Sequence, residues 1–244
     1  MWFNENKKLL DKEKKYVKNF NVKNKSSLRF INNNNEIILT GKLRFTAIYK
    51  NDFLEDEYNV EIHFPENYPS EFPFVKEVDN KIDKNYHHSY NKEYDKRFLC
   101  LATDSELSLK FSKDPCLRNF FKNCLIPYLY IHSFKTKYNK NSEMEERPHG
   151  VDGILNFYYN YFDVQTPQIV LKFLYYCFNT SKITENTQCP CGSNISLMKC
   201  HYFKLVELNQ ANIKYIYSDY NKIEENYQII SRILKMSLKN KFVL

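Results

Sequence analysis

Residues 189–201, CPCGSNISLMKCH, place several good metal ligands close together in the chain. The stretch offers three thiolates and one imidazole, those of Cys189, Cys191, Cys200 and His201. Zinc takes four such ligands in a tetrahedral arrangement. Gly192 allows a sharp turn after the second thiolate, and a segment this short would draw its folding energy from the metal. The sequence therefore predicts a structural zinc site (Zn2+) without an open coordination position.

The same stretch resembles the SEC-C motif, in which C-P-C-G-S is followed by a basic-rich spacer and then by C-C or C-H. The match covers the whole stretch, although the spacer NISLM lacks the usual lysines and glycine before Lys199. Members of this family carry the motif at protein termini as a small recognition knuckle. The resemblance implies a structural zinc and a docking surface for a partner.

Cys100 is a second candidate for chemistry and lies in RFLCLAT, residues 97–103. Taken alone, this apolar run is typical of a buried strand in which cysteine serves as a small hydrophobic residue. A thiolate is also nucleophilic near neutral pH and leaves easily, as thioester exchange requires. The local sequence leaves both interpretations open. Cys116, Cys124 and Cys177 fall in apolar helical patterns, and we expect buried thiols there.

The first half of the chain mixes one helix with β-type patterns. An amphipathic helix is predicted over residues 3–20, and strands are predicted at 36–50, 58–64 and 74–78. The polar stretch DFLEDE, residues 52–57, is predicted to be the hairpin loop between the first two strands. The proline-rich stretch FPENYPSEFP that follows should leave the sheet, because proline cannot donate to a strand ladder.

The second half is predicted to be helical. Pro115 should open a long helix that Pro127 bends or divides. A second helix is predicted to start near Asp152 as its N-cap, and a third at Pro167 with Thr166 as its N-cap. Beyond the cysteine-rich segment, the tail has a mostly helical pattern.

This order of features resembles the ubiquitin-conjugating (E2) fold. In that family the third strand is followed by F-P-x-x-Y-P-x-x-P-P, and the corresponding residues here are Phe64, Pro65, Tyr68, Pro69 and Pro73. The family's H-P-N sequence corresponds to a stretch that contains Ile82, His87, His88 and Asn91. The family's I-C-L sequence corresponds to Leu99, Cys100 and Leu101. H-P-N itself is missing from this chain. In the family, the asparagine lies eight residues before the cysteine and the histidine ten. Here Asn91 lies nine residues before Cys100, and His88 lies twelve residues before it.

The chain looks most similar to bacterial E2-like proteins, some of which accompany anti-phage operons. The resemblance implies an α+β ubiquitin-conjugating-like fold, with an N-terminal helix, an antiparallel β-meander and C-terminal helices. The expected division is a conjugating domain at residues 1–165, a helical connector at 166–188, a separate zinc knuckle at 189–201 and a helical tail at 202–244.

The resemblance further implies a transferase. Cys100 would accept the C-terminus of a ubiquitin-like protein, or of a partner such as a nucleotide cyclase, as a thioester and pass it to an amine of a target protein. An E1-like activating enzyme is then an expected partner. The residues that could move a proton or stabilise the oxyanion beside the thiol are His87, His88, Asn91 and His149.

Charge and composition leave two alternatives open. The chain carries 36 basic and 29 acidic residues, a net charge of +7, and eight of its lysines fall within the first 25 residues. That segment could steer an acidic partner or simply be a solvated helix face. The alternatives are an inactive E2-shaped adaptor that recruits a partner through its knuckle, and a basic nucleic-acid-binding zinc protein.

Nucleic acid is not an expected partner of the leading interpretation, because no arginine–aromatic array or helix-turn-helix pattern is present. Nor is a membrane, since no stretch approaches the roughly 18 apolar residues that a span needs. The first residues, MWFNENKKLLDKEKK, lack the apolar region of a signal peptide. We therefore expect a cytoplasmic protein, in which clustered cysteines indicate metal binding or catalysis rather than disulfides.

Overall fold

The computed structural model describes residues 2–33, 36–83, 98–139 and 148–241. The chain divides into two compact units, one of Met1–Ala102 with Lys110–Glu146 and one of Thr103–Leu109 with Arg147–Leu244. The first unit contains a four-stranded antiparallel sheet with helices, and the second is helical and contains the cysteine-rich segment. The α+β class is therefore confirmed. The second unit begins well before residue 165, where the sequence analysis ended its first domain.

The sheet of the first unit is a simple meander in which each strand pairs with the next along the chain. Its strands are β1 (Arg29–Asn33), β2 (Glu36–Tyr49), β3 (Asp52–His63) and β4 (Phe74–Glu77). Alternate residues of the central strands point to one side, and Leu43, Val60 and Ile62 are fully buried there. The segment that contains Cys100 bonds the edge of the sheet, where the Leu99 N–H donates to Val75 of β4.

The prediction of a loop at DFLEDE was wrong. These residues belong to β3 and pair with β2 throughout, so the hairpin turn is confined to Lys50 and Asn51. The reason is cross-strand charge pairing: Glu57 lies opposite Arg44 and binds its guanidinium at 2.5 Å and the Lys42 ammonium at 2.8 Å. Carboxylates with cationic partners on the neighbouring strand fit a partly exposed sheet surface as well as they fit a loop.

The helices of the chain up to residue 139 are α1 (Trp2–Glu5), α2 (Lys7–Asn24), α3 (Asp104–Ser112), α4 (Leu117–Phe120) and α5 (Ile126–Tyr138). A π-helical turn, Phe121–Leu125, joins α4 to α5 directly before Pro127. Pro127 thus interrupts the helix as predicted, because proline has no N–H to donate to the preceding turn. The helix starts at Leu117, two residues after Pro115, and α3 was not predicted.

A buried carboxylate connects α2 to the rest of the first unit. Glu13 is only 1% exposed, accepts a hydrogen bond from the Tyr68 hydroxyl at 2.6 Å and faces the backbone N–H of Leu117 at 3.3 Å. Burial raises its pKa despite these hydrogen bonds. Glu13 therefore joins α2 both to the proline-rich stretch and to the start of α4. The eight N-terminal lysines, in contrast, are all exposed.

Position 41 in β2 requires glycine, because of its backbone conformation and the nearby backbone of Ser27. Its φ is +132°, and a Cβ at this position would lie 2.4 Å from the carbonyl oxygen of Ser27. We expect Gly41→Ala to lower the free energy of unfolding by about 3 kcal/mol or more, because backbone strain and a backbone clash add. Thermal unfolding followed by circular dichroism measures this. Gly150→Ala is the control, because Gly150 also has a positive φ but has open space where a Cβ would lie. It should lower the free energy of unfolding by about 1–2 kcal/mol. Equal melting temperatures of the two variants would contradict a clash at Gly41.

The second unit is built from α6 (Gly150–Phe162), α7 (Pro167–Phe178), a 3-10 turn (Thr180–Lys182), α8 (Leu197–Cys200), α9 (Tyr202–Leu208) and α10 (Ile213–Lys241). Its core includes the stacked rings of Phe162 and Phe173, whose centroids are 4.3 Å apart. Thr166 is the N-cap of α7 and Pro167 its first residue, as predicted. None of the helices within the described ranges is long and apolar enough to cross a membrane.

The predicted N-cap of α6 was wrong. The helix begins at Gly150 with His149 as its N-cap, and Asp152 lies in the first turn. The start is set by a close backbone approach, since a Cβ on Gly153 would lie 2.3 Å from the carbonyl oxygen of Pro148. Asp152 still suits its position, because a carboxylate in the first turn interacts favourably with the helix dipole.

Candidate metal centre and candidate nucleophile

A tight backbone turn brings the first two cysteines of the cluster together. The Cys189 N–H donates to the carbonyl oxygen of Ile195 at 2.9 Å, and the Gly192 N–H faces the carbonyl oxygen of Cys189 at 3.3 Å. Gly192 has a φ of +83°, so the glycine provides the left-handed conformation that the turn needs, as predicted. The turn leads into α8, whose last residue is Cys200, and His201 follows directly.

The four predicted ligands meet at one point. One ligand atom from each of Cys189, Cys191, Cys200 and His201 lies within 4.8 Å of all the others. The sulfurs of Cys191 and Cys200 are 3.7 Å apart, and His201 Nδ1 lies 3.2 Å from Cys189 Sγ and 3.1 Å from Cys200 Sγ. The cluster could therefore hold a metal ion.

His201 is oriented from outside the cluster. Its Nε2 lies 2.9 Å from the backbone carbonyl oxygen of Phe162, which can only accept, so Nε2 carries the proton in this contact. The Nδ1 lone pair is then directed at the thiols. A hydrogen bond from the second ring nitrogen to a carbonyl is the usual way in which proteins fix a metal-binding imidazole. The ring also packs against Phe173, with centroids 5.1 Å apart.

The environment affects each ligand differently. Burial raises the pKa of the Cys189 thiol to about 12, so a cation would have to displace a tightly held proton there. Burial also acts to raise the pKa of Cys191, but hydrogen bonds with Ser193, Cys189 and Cys200 together outweigh it and the net shift is downward. Burial lowers the pKa of His201, which favours the neutral imidazole that a metal requires.

Ser193 is a contributor that the sequence analysis did not single out. Its Oγ lies 3.2 Å from Cys191 Sγ and 3.4 Å from Cys200 Sγ, between the two more exposed sulfurs. A hydroxyl in this position can donate to a thiolate and offset part of the negative charge of three sulfurs. Its place two residues after the second cysteine was the available signal.

The cluster is not the separate knuckle that the sequence analysis expected. Cys189 and Leu197 belong to the same apolar core as Phe162 and Phe173 of the neighbouring helices. Tyr161 of α6 also donates to the carbonyl oxygen of Lys204 in α9 at 2.8 Å. The four candidate ligands are therefore built into the second unit, and their geometry depends on its helices.

Cys100 lies in the first unit, beside β4. Leu99 is buried, and its N–H donates to the carbonyl oxygen of Val75 at 2.7 Å. The ring of Phe98 packs against His63 at 5.3 Å. Cys100 itself is half-buried, with its sulfur 3.8 Å from the carbonyl oxygen of Ala102. The described part of RFLCLAT is not a strand, and the residue before Cys100 is anchored to β4 while Cys100 itself stays partly exposed.

The other predicted site residues are His87, His88, Asn91 and His149. His87, His88 and Asn91 lie outside the described residues. His149 belongs to the second unit, whereas Cys100 belongs to the first. Three further thiols were expected to be buried in helical regions, and this is confirmed for Cys116, Cys124 and Cys177.

Comparisons with protein-family models, with curated proteins and with solved structures give no match for this chain. The functional argument therefore depends on the residues of this molecule and on the geometry described above.

Proposed function

We propose that the protein is an E2-like acyl carrier that accepts a protein C-terminus as a thioester on Cys100 and transfers it to an amine. The observation that carries the proposal is the position of Cys100. Cys100 is half-buried and directly follows the buried Leu99, whose backbone N–H donates to Val75 in the last strand of a four-stranded meander. A helix precedes that sheet and further helices follow it, which is the order expected of a ubiquitin-conjugating-like fold.

The chemistry consists of two acyl transfers. In the first, the Cys100 thiolate attacks the thioester carbonyl carbon of a ubiquitin-like protein or of a cyclase that is held on an E1-like enzyme. A new C–S bond to Cys100 forms, the old C–S bond breaks, and the thiolate of the E1-like enzyme is the leaving group. In the second, a target amine attacks the thioester carbonyl, the C–S bond breaks and the amine loses a proton. A thiolate serves both steps because it is a good nucleophile and a good leaving group. Bacterial anti-phage defence is the setting that the resemblance suggests.

We propose that the metal of the second unit is zinc with a structural role. A tetrahedral zinc sets sulfur atoms about 3.8 Å apart and sulfur and nitrogen about 3.6 Å apart. The Cys191–Cys200 distance of 3.7 Å fits directly. The distances of 3.1 and 3.2 Å from His201 Nδ1 to two sulfurs require shifts of a few tenths of an ångström. Three thiolates and one imidazole suit zinc and leave no position for substrate.

A second candidate function is that of an adaptor, which has the same fold but no transfer activity. It is favoured by exposed apolar side chains in residues 195–206, the stretch that also contains Cys200 and His201. Four of these are about half exposed or more, namely Ile195, Met198, Phe203 and Val206. Large exposed apolar side chains that occur close together often mark a protein-binding surface.

The transfer proposal is tested by changing the nucleophile atom. We expect Cys100→Ala to give no adduct with a C-terminally activated ubiquitin-like protein. Cys100→Ser should give an adduct that thiols no longer cleave, because an oxygen ester replaces the thioester. Non-reducing gels with and without added thiol measure both results, and Cys177→Ala is the control for loss of an unrelated thiol. A thiol-labile adduct that persists in Cys100→Ala would overturn the assignment, and no adduct in any variant would favour the adaptor.

A further inference from the structure

An open groove of about 530 Å³ runs between α7, α10 and the start of the cysteine-rich segment, all within the second unit. Its volume lies within the range of ordinary ligand sites, which is about 300–1,000 Å³. The residues that carry the argument are Lys172, Tyr175, Tyr176, Gln188, Pro190 and Tyr220. We call this feature the tyrosine groove.

The walls of the tyrosine groove are aromatic and partly fixed. Tyr176 and Tyr220 are half-buried and pack against the core of the unit, whereas Tyr175 is more exposed. The rings of Tyr175 and Tyr176 are 5.7 Å apart at an angle of 69°. Tyr220 is held in turn by Phe178, edge to face at 5.9 Å. The groove thus presents preformed ring surfaces on which a flat apolar group could pack.

Hydrogen-bond donors line the same surface. The Tyr176 and Tyr220 hydroxyls, the Lys172 ammonium and the Gln188 amide form no hydrogen bond with any side chain or backbone group of the residues that the structure describes. Tyr175 differs, because its hydroxyl accepts a hydrogen bond from Lys182 at 2.5 Å. A ligand that suits this groove would therefore provide mainly acceptors.

Charge distinguishes the two sides of the groove. Lys172 and Lys182 place positive charge on the α7 side. On the α10 side, burial and the neighbouring Glu224 raise the pKa of Tyr220. A negatively charged group of a ligand would therefore be stabilised next to α7 and disfavoured next to Glu224.

We propose that the tyrosine groove binds a proline-rich peptide segment in the polyproline II conformation, with an acidic residue next to Lys172. Such a segment has no internal hydrogen bonds, and proline has no N–H, so its backbone offers carbonyl acceptors and almost no donors. Its rings can pack on tyrosine faces, as in other aromatic-lined peptide grooves. The site does not involve Cys100 and does not depend on acyl transfer.

Fluorescence anisotropy of the full-length protein with a fluorescein-labelled peptide tests this. The probe contains pairs of prolines separated by aspartates, and a control peptide has alanine in place of every proline. We expect saturable binding of the proline peptide only. Tyr176→Ala should weaken it about tenfold, since it removes one ring surface and one donor. Lys172→Glu should weaken it too and should favour a peptide in which lysine replaces aspartate. Tyr227→Ala, on α10 outside the groove, should bind as the wild type does.

Several results would overturn the proposal. These are equal binding of the alanine peptide, no saturable binding by the wild type, or wild-type affinity in a folded Tyr176→Ala. If Tyr176→Ala does not fold, Lys172→Glu and Tyr220→Phe decide, and unchanged affinity in both would contradict it. Displacement of the peptide by single-stranded oligouridine, with steep salt dependence and loss in Lys172→Glu, would assign the groove to nucleic acid instead.

Discussion

Replacement of Cys200 with serine is expected to abolish metal binding and to unfold the second unit of the protein. A serine hydroxyl is a poor substitute for a thiolate, so the four-ligand set becomes incomplete. Of the three remaining ligands, Cys189 and His201 are packed against the core of the unit, so loss of the metal affects that core. Structural zinc contributes about 10–16 kcal/mol in small zinc peptides, whereas a whole domain is stable by about 5–15 kcal/mol.

The measurement combines a metal assay with circular dichroism during thermal unfolding. The wild type should contain one zinc per chain and should lose helical signal when a strong chelator removes it. Cys177→Ser is the matched control, since Cys177 is a buried thiol of the same unit that is not part of the cluster. It should retain its zinc. Stoichiometric zinc in Cys200→Ser, or a melting curve that is insensitive to chelation, would contradict a structural metal at this site.

Replacement of Asp219 with asparagine is expected to stabilise the protein above neutral pH. Asp219 of α10 is 2% exposed and accepts a hydrogen bond from the Tyr158 hydroxyl at 3.2 Å. Burial raises its pKa to about 6 from the ordinary value of 3.8. Between pH 3.8 and 6, Asp219 is therefore mainly protonated in the folded state and mainly ionised in the unfolded chain. Stability falls as the pH rises through this window, and the full penalty is present above it.

Asparagine has nearly the same shape, can still accept from Tyr158 and does not ionise. The gain from Asp219→Asn should be close to zero at pH 4 and about 2–3 kcal/mol at pH 8. Urea unfolding at the two pH values measures the difference. Glu225→Gln, which changes an exposed carboxylate of the same helix, should have little effect at either pH. A gain that is equal at both pH values would show that ionisation of Asp219 is not its cause.

The local features of this fold could be predicted from the sequence, and the features set by distant contacts could not. Pro167 marks the start of α7, because the fixed φ of proline suits the first helical turn and this preference acts locally. The charges of DFLEDE led to the prediction of a loop, although the stretch is part of a strand. The cations that pair with Glu57 come from β2 and cannot be identified from the local sequence. β1 was missed for a related reason: RFINN has only two apolar residues, Phe30 and Ile31, and becomes a strand by pairing with the apolar β2.

The same distinction holds for the candidate sites. The metal cluster could be predicted because its four ligands lie within one short segment, and the turn at Gly192 brings them together. Glu13 could not be identified as buried, since it lies among lysines that are exposed. Its burial depends on Tyr68 and Leu117, which are far away in the sequence. Asp219 and Tyr158 likewise come together only when α6 and α10 pack.

The short segment Thr103–Leu109 limits how this protein could have been assembled in evolution. It belongs to the second unit, where Leu109 enters the apolar core and the Ser108 hydroxyl accepts a hydrogen bond from the Asn212 N–H at 2.7 Å. The first unit continues on both sides of it in the chain. No single recombination point could then exchange one unit and leave the other whole. The unit that contains Cys100 and the unit that contains the cysteine cluster are thus expected to be inherited together, as one gene segment rather than as two interchangeable modules.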